Sequence, residues 1–195
     1  MNQKGFTLVE SIVATAIFAF VIVSILGVYI AVLNLDTRTR AYRAVADNSR
    51  FIMDFLSKEV REGHINYTSY PSGLVSNTTS DLYLINQNNE AERIYLFNQT
   101  QNQIETNTIN CLTDICNLVL SKGSATSNLN SSSVKVTRLY FYATPDGDPF
   151  TAAKTYNLQP GVTVILQLTS NIASRDNVKI DLESTFSTLY YPTRQ

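Results

Sequence analysis

The sequence predicts an α+β protein: a long N-terminal α-helix, apolar all round in its first half and amphipathic in its second, packed against a C-terminal antiparallel β-sheet head. Three observations carry this. From Ser11 to Leu35 no side chain is formally charged, and about 20 apolar residues at roughly 1.5 Å rise each cover the roughly 30 Å hydrocarbon layer of a bilayer. From Asp36 to Glu62 there is neither proline nor glycine, and Ala41, Val45, Ile52, Phe55, Leu56 and Val60 recur at helical spacings, the stripe of a helix with one face to bury. After residue 80 the period changes to short β-rich runs.

A continuous helix from Phe6 to Glu62 would measure roughly 85 Å. Gly63 follows as its stop signal. Gly27 is the one weak point along the helix, where glycine costs roughly 1 kcal/mol against alanine and could admit a bend. A polar connection containing Pro71-Ser72-Gly73 then leads into the head. Strands are expected at Leu82–Ile85, Arg93–Phe97, Gln103–Glu105, Leu118–Leu120, Val134–Ala143, Val162–Leu168 and Val178–Tyr190, with turns at Pro145-Asp146-Gly147-Asp148-Pro149 and Gln159-Pro160-Gly161. The Ser/Asn-rich stretch 123–133 reads as a mobile loop. A single sheet of about six or seven strands laid on the apolar helix face would complete a two-layer head. The chain thus divides into 1–5, a leader; 6–35, the apolar half of the helix; 36–62, its amphipathic half; 63–80, a connection; and 81–195, the head.

Composition narrows the function classes. The chain has 195 residues and a net charge of -1, which leaves room for one modest soluble domain and gives no electrostatic reason to expect nucleic acid as a partner. Cys111 and Cys116 are read first as an intrachain disulfide closing a small loop, with two free thiols as the alternative. A metal site comes last, because His64, the single histidine, lies far away in sequence.

The N-terminus departs from an ordinary secretory signal, in which small residues follow the apolar core. Here the small residue, Gly5, precedes it. Removal of a leader would therefore take Met1 to Gly5 and leave the apolar segment in the mature chain. Glu10 stands inside that segment, where a carboxylate costs about 2.5–3.5 kcal/mol and calls for a partner.

Lys4-Gly5-Phe6-Thr7-Leu8-Val9-Glu10 resembles the processing site of type IV pilins and type II secretion pseudopilins. The resemblance implies that a prepilin peptidase cuts after Gly5 and methylates the new amine of Phe6, with Lys4 and Gly5 serving the processing. It implies further that Glu10 of one subunit meets the N-terminal ammonium of a neighbour, so that Phe6 and Glu10 set the register of a helical fibre. Burying an uncompensated charge is expensive, which favours the one register that places a cation opposite it. The size of the head and the helix segment 49–62 resemble the larger minor pilins and the J-type minor pseudopilins. Common fibre pilins often carry a proline in the stalk, and this chain has none before Pro71.

One feature opposes the orientation implied by the family, with the N-terminus in the cytoplasm. Lys4 is the only leader charge, while Arg38, Arg40 and Arg43 follow the apolar run, against the positive-inside tendency. These arginines are expected either to pair with acidic groups of adjacent subunits or to form a solvated helix face.

The inventory for catalysis is thin. No phosphate loop and no G-x-S-x-G elbow occurs, and His64 past the helix end reads as a cap or loop residue. Asp146 and Asp148 fall short of the 6–8 oxygen ligands that calcium takes and read as a turn. Tyr140, Tyr142, Tyr190 and Tyr191 read as strand packing residues. Asn66, Asn77 and Asn98 open glycosylation sequons. The expectation is a non-enzymatic structural subunit without cofactor or metal, made as a single-pass precursor in the inner membrane with its head outside the cytoplasm. It would then assemble with other pilin or pseudopilin subunits into a filament at the cell surface or in the periplasm. The competing reading is a membrane-anchored adhesin or receptor that keeps its leader and does not polymerise.

Overall fold

The computed structural model describes residues 7–70, 75, 79–105, 110–150, 158–172 and 177–189. Helix α1 runs unbroken over Leu8–Glu62 and passes through Gly27, whose missing side chain leaves open space. Its buried face is Ala41, Val45, Ser49, Ile52, Leu56 and Val60. This is the expected stripe with two changes. Phe55 moves to the flank, half-buried and stacked on the exposed Phe51 at 6.3 Å between ring centroids. Ser49 takes a core position because its hydroxyl donates to the Val45 carbonyl at 2.7 Å, so burial leaves no polar group unpaired.

The helix stops at Gly63, whose N–H donates to the Glu59 carbonyl at 3.0 Å. The backbone there is extended (φ -104°, ψ -166°), a conformation open to any residue. Close approach is what demands glycine: a Cβ would lie 2.6 Å from the Ile85 carbonyl oxygen and 2.8 Å from that of Glu59.

The head follows as β1 (His64–Ile65), β2 (Leu82–Ile85), β3 (Ala91–Asn98), β4 (Gln103–Glu105), β5 (Cys116–Lys122), β6 (Ala125–Asn128), β7 (Val134–Thr144), β8 (Gly161–Ser170) and β9 (Lys179–Ser187). These strands form two antiparallel sheets where one was expected. The first is ordered β1-β2-β3-β5-β6 with β4 also on β3, and the second is ordered β7-β8-β9. The division occurs at Asn130. Its Oδ1 accepts the Leu118 N–H at 2.8 Å, and its Nδ2 donates to Asn117 Oδ1 at 2.9 Å and the Val134 carbonyl at 2.6 Å. A side chain thereby takes a ladder position on β5, and the main chain is released to start a new sheet.

The stretch expected to be mobile, 123–133, contains β6, paired with β5 from Val119↔Asn128 to Lys122↔Ala125. The hairpin turns through Gly123 at φ 57°, the left-handed conformation that tight hairpins favour. In β7 the buried positions switch from Val134 and Val136 to Leu139 and Phe141 because the register shifts between Val136 and Arg138, as an inserted bulge residue requires. Facing them, β8 buries Val162, Val164, Leu166 and Leu168. Helix α1 packs mainly on β8 and β9, and one contiguous core joins the helix stripe to both sheets.

Candidate functional site

The N-terminal helix carries the site. Thr7 occupies the N-cap with an extended backbone, and its Oγ1 accepts the Glu10 N–H at 3.3 Å. Thr7-Leu8-Val9-Glu10 therefore has the spacing of a capping box. That spacing was present in the sequence and identifies Thr7 as a contributing residue. Glu10 lies in the first turn, where the positive end of the helix dipole favours an anion by about 0.3–1 kcal/mol. Among the described residues no cation forms a salt bridge with Glu10. Lys4, Gly5 and Phe6 lie outside the described residues.

Beyond the cap, the apolar side chains from Leu8 to Leu35 are exposed, Leu8 at 76% and Phe20 at 74%. Such a surface is far beyond what a solitary protein displays to water. Four hydroxyls in and just beyond this run bond back to the helix: Thr15 Oγ1 donates to the Ser11 carbonyl at 3.0 Å, Ser24 Oγ to Phe20 at 2.8 Å, Thr37 Oγ1 to Leu33 at 3.0 Å and Thr39 Oγ1 to Leu35 at 2.8 Å. This is what an apolar surrounding demands of polar groups. Among the described residues, α1 is the one helix long and apolar enough to cross a membrane.

The head's candidate residues are placed separately. Cys111 and Cys116 form a disulfide with a Cα–Cα distance of 5.5 Å, both fully buried. Beside their loop lies a polar cluster that the sequence reading passed over. Fully buried Asn98 donates through Nδ2 to Glu105 Oε1 at 3.0 Å and Asp114 Oδ2 at 2.8 Å, and its Oδ1 accepts the Gln101 N–H at 3.0 Å. With its amide nitrogen committed in this way, Asn98 is a structural residue and its sequon offers no exposed acceptor. Asn66 Oδ1 accepts the Thr68 hydroxyl at 2.7 Å. Asn77, Tyr190 and Tyr191 lie outside the described residues. Tyr140 and Tyr142 are half-buried on β7.

His64 is half-buried in β1 and shares a cleft with Tyr67, Asp148 and Phe150. Burial pushes its imidazole below the usual range, and Asp148 opposes that shift. Asp148 Oδ1 accepts the Phe150 N–H at 2.9 Å, a turn arrangement. Among the described residues no cluster of three His, Cys, Asp or Glu could hold a metal ion.

A charged group fastens the helix to the first sheet. Lys122 Nζ lies 2.6 Å from Glu92 and 3.9 Å from Glu59 of α1, and Asn86 Nδ2 donates to Glu92 Oε1 at 2.6 Å. The hydrogen bond to Glu92 is the main cause that holds Lys122 above its ordinary range. Burial, followed by the charge of Glu92, holds Glu59 above the usual carboxylate range.

An exposed apolar helix long enough to cross a membrane, with an acid in its first turn, is joined to a β head that holds one disulfide. Residues 1–26 match the family described as the prokaryotic N-terminal methylation motif. The chain thus carries a prepilin-type methylation motif, the mark of type IV pilins and pseudopilins, which are structural proteins and not enzymes. Its long helix on antiparallel sheets is pilin-like. The chain matches no curated protein and no solved structure.

Proposed function

We propose that this protein is a subunit, of the minor kind, of a type IV pilus or pseudopilus. It is made as an inner-membrane precursor, cut between Gly5 and Phe6 by prepilin peptidase, methylated at Phe6 and assembled through α1. The observation that carries this reading is the exposed apolar face from Leu8 to Leu35, whose first part lies within the motif matched over residues 1–26. Before assembly the bilayer covers that face, and afterwards the stalks of neighbouring subunits do. The position of Glu10 in the first turn of α1, at the positive end of the helix dipole, offsets part of the electrostatic cost of the acid within the chain. The methylated ammonium of an adjacent Phe6 supplies the remainder, and with it the register. The minor assignment is supported by the size of the head and by the resemblance of helix segment 49–62.

Mass spectrometry of the mature N-terminus tests the processing: loss of Met1 to Gly5 with one added methyl is expected. An intact leader on a chain that never oligomerises would favour an anchored adhesin or receptor. For the carboxylate, Glu10→Val should leave membrane insertion intact and lower incorporation into filaments at least tenfold, the equivalent of about 1.4 kcal/mol. Unchanged incorporation would remove the register role of Glu10.

A further inference from the structure

Opposite its buried stripe, the second half of α1 carries a line of charge. Arg43, Asp47, Arg50, Asp54 and Lys58 are all exposed. Spacings of three and four keep them on one helix face, away from Val45, Ile52, Leu56 and Val60. Each step of four residues turns through about 40°. Arg43 and Arg50 therefore fall towards one flank of the line, and Asp47 and Asp54 towards the other.

The chain does not pair these charges with one another. Just before the line, Asp36 and Arg40 form a bridge at 2.8 Å, in the acid-first order that favours partners four residues apart. Arg43 with Asp47 and Arg50 with Asp54 run in the opposite order. Among the described residues none of the five charges of the line forms a salt bridge, although Lys58 feels the charge of its neighbour Glu59.

A parallel copy of the same helix complements the line in one register. Contact between the Phe6 amine of that copy and Glu10 sets it four residues along, about 6 Å of helix. Arg43 of the copy then stands level with Asp47, Arg50 with Asp54, and Asp54 with Lys58. Opposite signs meet at all three levels. With no displacement each charge meets its like, and at seven residues Arg43 meets Arg50 and Asp47 meets Asp54. A displacement of eleven residues also joins opposite charges, Arg43 to Asp54 and Asp47 to Lys58, but carries the amine past Glu10.

We propose that the line from Arg43 to Lys58 is a self-complementary contact for a second copy of this chain, parallel and displaced by four residues. It extends the register of Phe6 and Glu10 beyond the apolar run. Exposed pairs are individually weak, so the line selects among registers more than it adds affinity. The inference rests on the subunit reading above.

Two full-length variants test the contact in trans. One carries Arg43→Asp with Arg50→Asp, and the other Asp47→Arg with Asp54→Arg. Expressed alone, each should enter filaments about fivefold less than the wild type, the effect of a few like-charge contacts between helix surfaces. Co-expression should restore incorporation, because the two altered flanks then meet with opposite sign, and a role confined to one helix has no such rescue. Circular dichroism checks that each variant is folded. Normal incorporation of either variant alone, or losses that co-expression fails to mend, overturns the proposal.

A cross-link measures the displacement. Among the described residues no cysteine is free, so introduced thiols report by themselves. Arg43→Cys in one chain and Asp47→Cys in another should couple in higher yield than Arg43→Cys with Asp54→Cys, and equal yields would overturn the four-residue register. Coupling is read in membranes as well as in sheared filaments. An intact leader without filaments, with the 43–47 coupling present in membranes, counts against the pilus assignment alone. Trimmed chains in filaments without that preference count against the line of charge alone.

Discussion

Asn130 shows how a single side chain can decide topology. Its amide spans β5 and the start of β7, and its loss would leave the Leu118 N–H and the Val134 carbonyl buried without those partners. Asn130→Ala should therefore destabilise the head by about 2–3 kcal/mol, measured by denaturant unfolding, and a change below 0.5 kcal/mol would deny it that role. Glu59 gives a prediction with a definite sign. Its carboxyl is held above its ordinary value of 4.5 by burial first and Glu92 second, so the folded head binds more protons than the unfolded chain just above that pH. The stabilising contribution is complete below 4.5 and is lost as pH rises through the folded value. Glu59→Gln, neutral at every pH, should flatten that decline in melting temperature. A decline of the same slope in the variant would assign it to other groups. Neither residue announced itself in the sequence. Asn130 sits in a Ser/Asn-rich stretch whose composition reads as a loop, and the neighbours of Glu59 come from strands more than thirty residues away, which helical periodicity cannot report.

At the scale of elements, the helix was readable because its signal is local. The uncharged run, the apolar stripe and the stop at Gly63 each depend on neighbouring residues, and α1 ends at Glu62 as expected. The reason for the glycine was not local. Its Cβ would meet the carbonyl of Ile85 on β2, so the requirement comes from docking and not from handedness. Gly63→Ala should cost about 1–3 kcal/mol through overpacking, and a neutral result in thermal unfolding would show that β2 can yield at no cost. Most strands were also recognisable from β-branched and aromatic alternation, β7 and β8 above all. β6 was missed because all of Ala125–Asn128 is exposed and an edge strand with nothing to bury has no period to read. The sheet division was missed for a related reason: alternation reports which face is buried and is silent on which strand lies alongside.

For the whole molecule, stalk and head are separable in their energetics. Burial against the head begins at Ala41, and no residue before it is buried among those described. A chain beginning at Asp36 should therefore fold with its disulfide intact and elute as a soluble monomer, as size-exclusion chromatography and circular dichroism would record. Aggregation or loss of helical signal would show that the stalk supports the fold. The functional site was legible to a corresponding degree. The leader motif and Glu10 are written contiguously, as is Thr7 at the capping position.

The inward-turned hydroxyls of Thr15, Ser24, Thr37 and Thr39 bear on how such a rod travels. Each hands its proton to a carbonyl one turn behind, so none of the four needs an outside acceptor, and none holds the rod at a particular depth or angle. In the proposed assembly, withdrawal from acyl chains into a sleeve of sister rods would exchange one dispersion contact for another, with no polar latch at those four positions to break. The polar work would fall instead on the acid near the tip.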